Sequence, residues 1–182
     1  MHRHNYIESI GNFAFSGIWV YANSESKIYN NYINITSNNA SLHGIYVQNG
    51  QGTLAKPIEI YNNCINVESS STSTFGTTAG FYSVNSYIIN FDHNSVKLNQ
   101  SSSTSVNWGG VYMTGGFGIS LTNNSIEVDG AGANAVNILT PAIYAGDYNN
   151  YYTSNGDLVR FGGTSYTSMS AFSTASSTDA NS

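Results

Sequence analysis

The sequence predicts an all-β protein, and three observations support this fold class. Neutral polar residues dominate the chain, with 25 Asn and 18 Gly, while only 8% of the residues are charged. β-branched and aromatic residues, which favour strands, are frequent. Two adjacent polar residues, the second of which is Asn, recur about every 30 residues. Short segments in which apolar and polar residues alternate lie on both sides of each pair. Such a repeat indicates strands with one buried face, stacked from one copy to the next.

The repeat is clearest at residues 28–35, which read Ile-Tyr-Asn-Asn-Tyr-Ile-Asn-Ile, and it returns at 60–67, 91–98 and 121–128. The Asn at the fourth position of each copy is the marked residue. The marked residues are Asn5, Asn31, Asn63, Asn94, Asn124 and Asn150, at intervals of 26, 32, 31, 30 and 26 residues. A second element, of the form Gly-Ile-Tyr-Val, lies between successive marks, so each repeat is predicted to hold three short strands.

These repeats predict a parallel β-helix, in which the chain winds around one core and each turn, or rung, pairs with the next at about 4.8 Å. About five rungs are expected. Stacking in register predicts four buried apolar rows: Ile18, Ile45, Phe81, Val111 and Val136; Ile28, Ile60, Phe91 and Leu121; Ile33, Ile65, Val96 and Ile126; and Ile35, Val67, Leu98 and Val128.

The marked Asn residues are predicted to be structural. They lie between two strands at a sharp corner, where Asn tolerates left-handed dihedrals and hydrogen-bonds its own backbone. Stacked amides also bond to one another, at about 1 kcal/mol net for each bond. We therefore expect a ladder that consists of Asn31, Asn63, Asn94 and Asn124.

The motif Ile-x-Asn-Asn-x-Ile-x-Val followed by Gly-Ile-Tyr-Val resembles the repeats of the pectin lyase-like superfamily, and the resemblance covers residues 5 to about 152. It implies a right-handed single-stranded parallel β-helix. That superfamily includes lyases, glycosidases, phage tailspikes and adhesins, so the resemblance implies contact with polysaccharides but selects no activity.

Residues 1–152 are thus predicted to form the β-helix and residues 153–182 a C-terminal cap on the last rung. Met169, Phe172 and Ala175 are three residues apart, which fits the apolar face of a short helix. Its N-cap is expected to be Thr167 or Ser168, which lie just before the apolar positions.

The tail also resembles segments that close such modules in secreted bacterial proteins. No comparable segment covers the other end of the repeats, and an open sheet edge is unfavourable. We therefore expect further rungs on the N-terminal side, in a longer exported chain that is secreted or displayed on the cell surface.

Composition excludes two classes of partner. Five Lys and Arg against 10 Asp and Glu, a net charge of −5, cannot neutralise a phosphate backbone, which argues against nucleic acid. No stretch approaches the roughly 20 apolar residues of a membrane span.

Cys64 is the only cysteine and is expected to be a lone thiol. The His residues at 2 and 4 are not expected to bind a metal.

The outward position of the Gly-Ile-Tyr-Val element is the most informative surface feature. Its occupants are Trp19, Tyr46, Tyr82, Tyr112 and Asn137. We expect four exposed rings stacked in a column about 15 Å long, which could bind sugar faces or could pack together only to stabilise the sheet. A shorter column of Tyr29 and Tyr61 is expected on the next face. Loops at 69–79 and 99–109 would wall a groove beside the first column or would simply be solvated.

Candidate catalytic residues are few. Asp92, His93 and Lys97 share one repeat, and Glu127 lies one repeat above Lys97. Cleavage of a glycan requires paired carboxylates, or a base with carboxylates and a cation. These four residues are the candidate cluster, although Lys97 and Glu127 also fit an ordinary surface ion pair.

Two departures from the superfamily weaken the enzymatic interpretation. Its lyases carry calcium-binding carboxylates on the face where this chain has aromatic rings. Its glycosidases carry Gly-His-Gly, whereas this chain has Leu-His-Gly at 42–44, so His43 is expected to be a loop residue.

Three functional hypotheses follow. The first is a module that contacts polysaccharide or cell-surface glycan through the aromatic column, without catalysis and without a cofactor. The second is a polysaccharide lyase, which would use calcium, or a glycoside hydrolase. The third is a structural stalk or adhesin module.

Overall fold

The computed structural model describes residues 2–3, 5–11, 15–73, 76–100, 108–140, 144–154 and 157–182. These residues form seventeen strands and one helix. The strands are β1 (His2–Arg3), β2 (Tyr6–Gly11), β3 (Phe15–Tyr21), β4 (Lys27–Tyr29), β5 (Tyr32–Ser37), β6 (Leu42–Gln48), β7 (Ile58–Tyr61), β8 (Cys64–Ser69), β9 (Thr78–Asp92), β10 (Ser95–Gln100), β11 (Trp108–Thr122), β12 (Ser125–Asp129), β13 (Asn134–Ile138), β14 (Tyr144–Asp147), β15 (Asn150–Thr153), β16 (Val159–Phe161) and β17 (Thr164–Tyr166); the helix is α1 (Met169–Ser176).

The strands form two sheets, which confirms the all-β prediction. The smaller sheet has six strands in the order β15-β12-β10-β8-β5-β2. The larger sheet has eleven strands; its main path is β1-β4-β7-β9-β11-β13-β16-β17, with β3 and β6 attached through β9 and with β14 attached to β11. Among the described strands, only β16 and β17 pair in an antiparallel manner.

Successive repeats pair in register. Ile33 pairs with Ile65, Ile65 with Val96, and Val96 with Ile126. Side chains alternate between the two faces of a strand, so pairing without a slip places the same positions inward in every repeat. All members of the four predicted apolar rows are buried, as expected.

The third and fourth repeats do not contain the three short strands that were predicted for each repeat. There the Gly element and the next apolar segment form one strand of 15 residues, β9 or β11. These two strands pair along almost their whole length. Residues with positive φ occur midway along both, such as Asn85 at 48° and Gly116 at 86°. In the second repeat, residues 49–57 separate β6 from β7, and the corresponding connection is shorter in the later repeats.

Glycine at the start of each Gly element allows the two sheets to approach closely. A Cβ on Gly44 would lie 2.2 Å from Cγ2 of Ile65, and one on Gly80 would lie 2.2 Å from Cγ1 of Val96. Both separations are far below van der Waals contact. The recurring glycine is therefore required because a β-branched side chain of the other sheet occupies its side-chain space.

A buried ladder of side-chain amides joins the repeats at one corner. Nδ2 of Asn31 donates to Oδ1 of Asn63 at 2.8 Å, and Nδ2 of Asn63 donates to Oδ1 of Asn94 at 2.9 Å. Nδ2 of Asn94 donates to Oδ1 of Asn124 at 3.2 Å. The backbone N–H of each donor residue bonds to the same oxygen, so each of these Oδ1 atoms accepts two hydrogen bonds.

The ladder continues through Asn149, so the prediction of Asn150 as the last mark is wrong. Both the N–H and Nδ2 of Asn124 donate to Oδ1 of Asn149 at 3.0 Å. Asn150 pairs with Ser125, one position further along the strand. The Asn pair at 149–150 was misaligned because Tyr148 occupies the first position of this corner.

The prediction that the ladder residues adopt left-handed dihedrals is wrong. These dihedrals belong to the residue before each ladder residue. These residues are Asn30, Asn62, His93, Asn123 and Tyr148, with φ of 55–56°. The left-handed residue turns the chain, and the following Asn carries the buried amide. We expected one Asn to have both the left-handed dihedral and the buried amide. Two adjacent residues each have one of these properties, which explains why Asn-Asn pairs recur.

The C-terminal residues cover one end of the core. Strand β16 pairs parallel with β13, and Val159 follows Val136 in its row, so the larger sheet extends beyond residue 152. The helix α1 has Ser168 as its N-cap and buries Phe172. Ala175, expected on the apolar face, is exposed because the helix touches the core mainly through Phe172 and Met169.

Asp179 ends the amide ladder. Its Oδ1 accepts from Nδ2 of Asn149 at 3.0 Å, from the Tyr151 hydroxyl at 3.1 Å and from the Ser182 hydroxyl at 2.7 Å. The Tyr144 hydroxyl donates to Oδ2. Burial raises the pKa of Tyr144 and of Tyr151 well above the ordinary value, so both phenols remain protonated donors. The polar ladder therefore ends on a carboxylate that is itself buried and bonded.

We predict that Asn94→Ala lowers the free energy of unfolding by roughly 3 kcal/mol, because it leaves buried donors on Asn63 and the Oδ1 of Asn124 short of partners. Asn66→Ala is the matched control, since Asn66 is half-buried and its Nδ2 donates a hydrogen bond to Oδ1 of Asn34 on the outer face. We expect it to cost below about 1 kcal/mol. Urea unfolding followed by circular dichroism measures both, and equal losses would contradict a special role for the buried ladder.

We predict that Tyr148→Asn stabilises the protein by about 0.5–1 kcal/mol, because Asn adopts φ of 56° at lower cost than tyrosine does. Tyr152→Asn is the control, since Tyr152 is similarly exposed but lies in the extended strand β15, where Asn is disfavoured. Thermal unfolding should show a higher midpoint for the first variant only.

Candidate functional site

Four aromatic rings stack on the outer face of the larger sheet. The ring centroids of Trp19 and Tyr46 are 5.9 Å apart with an interplanar angle of 6°. The corresponding values are 4.9 Å and 15° for Tyr46 and Tyr82, and 5.1 Å and 3° for Tyr82 and Tyr112. The spacing follows the distance between neighbouring strands because each ring comes from one repeat.

Exposure falls steeply along this column, which corrects part of the prediction. Trp19 is 61% exposed, and Tyr46 and Tyr82 are half-buried. Tyr112 and Asn137 were expected to be exposed, but they are 5% and 0% exposed. The row continues from Asn137 to Arg160 in β16, so these two positions lie inside the row rather than at its end. That additional strand carries no copy of the repeat motif.

Mutual stacking determines what the rings offer to a ligand. Tyr46 and Tyr82 each have a neighbouring ring on both faces, so only their edges and hydroxyl groups point outward. Trp19 is stacked on one face only among the described residues, and Tyr21 contacts it edge-on at 6.3 Å. Within the described residues, this column therefore leaves one indole face without a stacked ring, while the rings of Tyr46 and Tyr82 are covered on both faces.

His43 lies in β6 and is 8% exposed, so its assignment to a loop is wrong. Its ring stacks on Tyr82 with centroids 4.8 Å apart, and its Nδ1 is 3.2 Å from the Ser16 hydroxyl oxygen. Its neighbour in register is Ala79, whose small side chain leaves room for the ring to lean onto the tyrosine of the next repeat. Burial lowers the pKa of His43 from 6.5 to about 4.

The four candidate catalytic residues form two pairs on either side of a corner. Lys97 Nζ is 2.8 Å from Glu127 Oε1 on the outer face of the smaller sheet. Asp92 ends β9 on the larger sheet, where burial raises its pKa although a hydrogen bond with Thr122 and the neighbouring His93 act in the opposite direction. His93 is the exposed left-handed residue of the corner itself.

A second, shorter aromatic pair lies on the larger sheet, at the expected place. Tyr29 and Tyr61 stack with centroids 4.9 Å apart and an interplanar angle of 2°. In register, Asp92 follows Tyr61, and Thr122 follows Asp92.

Every lysine of the chain is paired with a glutamate. Besides Lys97 with Glu127, the pairs are Lys27 with Glu59 and Lys56 with Glu25. The glutamate beside Lys27 and the one beside Lys97 raise the pKa of each ammonium group. These surface pairs contribute little to stability, but they neutralise the chain's lysine charges.

Some predicted features lie outside the described residues. They include residues 74–75 and 101–107 of the two loops proposed to wall a groove, and residues 1 and 4 near the start of the chain. Within the described part, no group of three His, Cys, Asp or Glu side chains is placed to hold a metal ion. Cys64 is free and exposed.

No helix in the described ranges has the length and apolar character needed to cross a membrane. The chain matches no protein-family model, no curated protein and no solved structure.

We predict that folding stability decreases as the pH falls from about 6.5 to about 4, because the unfolded chain protonates His43 in this range while the folded protein does not. The loss at full protonation is on the order of 3 kcal/mol. His43→Phe should remove this slope because the ring contact with Tyr82 is kept and the titration is lost.

His93→Gln is the control, and it should keep the slope because His43 is still present. Urea unfolding at a series of pH values measures both. A slope that survives in His43→Phe would show that other groups cause the acid sensitivity.

Proposed function

We propose that this chain is a right-handed parallel β-helix module of the pectin lyase-like type and that it contacts polysaccharide without catalysis of its own. Parallel pairing of successive repeats, the buried apolar rows and the amide ladder support the proposed winding. The secreted or surface location on a bacterium belongs to the same proposal and is supported by the repeat motif alone.

Further rungs on the N-terminal side are also part of this proposal. Strands β2 and β3 lie at open ends of the described sheets. Asn5 begins the ladder, and its N–H and Nδ2 both donate to Oδ1 of Asn31 at 3.2 Å. The Oδ1 of Asn5 is in the position that accepts two hydrogen bonds in each later repeat, so an additional rung with a matching Asn would extend the ladder.

The observation that carries the functional proposal is the exposed end of the aromatic column. Trp19 presents an indole face, and the edges and hydroxyl groups of Tyr46 and Tyr82 continue from it across the sheet. An apolar face beside polar groups is the combination that a sugar ring, with its C–H faces and hydroxyl edges, requires.

The enzymatic alternative has less support. A lysine that removes a proton must be neutral, but Glu127 raises the pKa of Lys97 and holds it charged. Asp92 and His93 lie beyond the corner at Asn94, so the four residues do not converge on one reacting atom. The stalk or adhesin alternative accounts for the inner rings but assigns no role to the open face of Trp19.

We predict that Trp19→Ala weakens retention on the polysaccharide that binds the intact protein by about tenfold, because an exposed aromatic anchor typically dominates such a contact. Affinity electrophoresis in gels that contain soluble glycans provides the measurement. Tyr148→Asn is the matched control, since Tyr148 is 60% exposed and lies at a corner away from the column. Absence of retention by the intact chain across a broad glycan panel would overturn the proposal.

A further inference from the structure

A shallow groove crosses the outer face of the smaller sheet, whereas the aromatic column lies on the larger sheet. Its floor is a row in which Cys64, Ser95 and Ser125 are in register on β8, β10 and β12. The groove has a volume of about 360 Å³. The groove exists because these small side chains lie beside a row of longer ones. Asn66, Lys97 and Glu127 belong to this longer row and line the groove.

Tyr32 closes one end of the groove with an open ring face. Its ring stacks on Tyr6 with centroids 5.2 Å apart and an interplanar angle of 7°. Strand β5 lies between β2 and β8, so Tyr6 covers the face toward β2 and the other face points toward β8. The residue in register there is Cys64, which is too small to cover a phenol ring. Tyr32 is 42% exposed and lines the groove.

The groove also offers neutral polar groups along its length. The hydroxyl groups of Ser95 and Ser125 are exposed on the floor. Asn66 is held in place by its Nδ2, which donates to Oδ1 of Asn34 at 2.7 Å. Beyond Ser125, the surface continues into a hollow of about 490 Å³ that is lined by Asn150 and Tyr152. A ligand several units long thus meets the ring face of Tyr32 at one end, the exposed side chain of Tyr152 at the other, and hydrogen-bonding groups between them.

The charges favour a neutral ligand. The one lysine in the groove is neutralised by Glu127, 2.8 Å away, and the chain carries a net charge of −5. A polyanion such as a polyuronate would lose hydration without gaining an unpaired cation, and it would be repelled by the net charge.

We propose that this groove is a second saccharide site, which binds a neutral oligosaccharide with one sugar ring packed on the open face of Tyr32 and the next units along Ser95 and Ser125. The site goes beyond the function proposed for Trp19, because it lies on the other sheet and uses no residue of the column. The two sites fail or succeed independently.

Cys64 allows a direct test, because the single cysteine of the chain lies on the groove floor and is exposed. The rate of its alkylation by iodoacetamide reports access to the groove alone. We would measure this rate with cello-, xylo-, manno-, malto- and laminarihexaose, and with hexagalacturonate as the acidic comparison. At ten times the dissociation constant, a neutral hexaose that binds should slow alkylation about tenfold by simple occupancy.

Two variants locate the protection. Tyr32→Ala should abolish it by removing the stacking face, and Ser95→Leu should abolish it by filling the floor while Tyr32 is retained. Each is compared with its own rate without sugar, after circular dichroism shows the β signal of the parent. Trp19→Ala should keep the protection, which separates this site from the column.

Failure of all five neutral hexaoses to slow alkylation of the folded protein would overturn the proposal. Protection by hexagalacturonate alone would overturn it as well, since it would show a site for acidic glycans. Protection that is lost in Trp19→Ala but kept in Tyr32→Ala would place the ligand on the column and not in the groove.

Discussion

The buried corner amides hold successive repeats in register. From Asn31 to Asn149, each Oδ1 in the ladder accepts from both the backbone and the side chain of the preceding Asn, and a slip of one residue would leave several buried polar groups without partners. Because strands alternate with period two, holding the corner in register also holds every apolar row inward. The glycines that face Ile65 and Val96 then let the two sheets approach each other closely.

In-register stacking has opposite consequences for different side chains. Apolar residues gain contacts from identical neighbours, and flat rings form columns, but a ring between two others has no face left for a ligand. Like charges would repel across neighbouring strands, and the lysines are accordingly placed beside glutamates. In the described part of the chain, ring faces are left without a stacked neighbour where a row ends or changes size, as at Trp19 and at the step from Tyr32 to Cys64.

The candidate sites show which features the linear repeat pattern predicts. It indicated the column from Trp19 to Tyr112 and the pairing of Lys97 with Glu127, because both follow from counting positions along a repeat. It did not indicate the burial of Tyr112 and Asn137, because burial depends on tertiary surroundings and not on the position of a residue within its repeat. The groove was also missed, although the row of Tyr32, Cys64, Ser95 and Ser125 was readable, because a sequence of small residues acquires a shape only beside longer neighbours.

The class of structure, the apolar rows and the corner amides at Asn31, Asn63, Asn94 and Asn124 can be read from the amino-acid sequence, since all three are periodic properties of the chain. Tertiary structure alone decided which residue of each corner turns left-handed and how the last repeats are covered. It also decided that His43 lies buried against Tyr82 and that Asp179 terminates the ladder. These contacts join segments with unrelated patterns, and their energies depend on burial and geometry, which no period along the chain encodes.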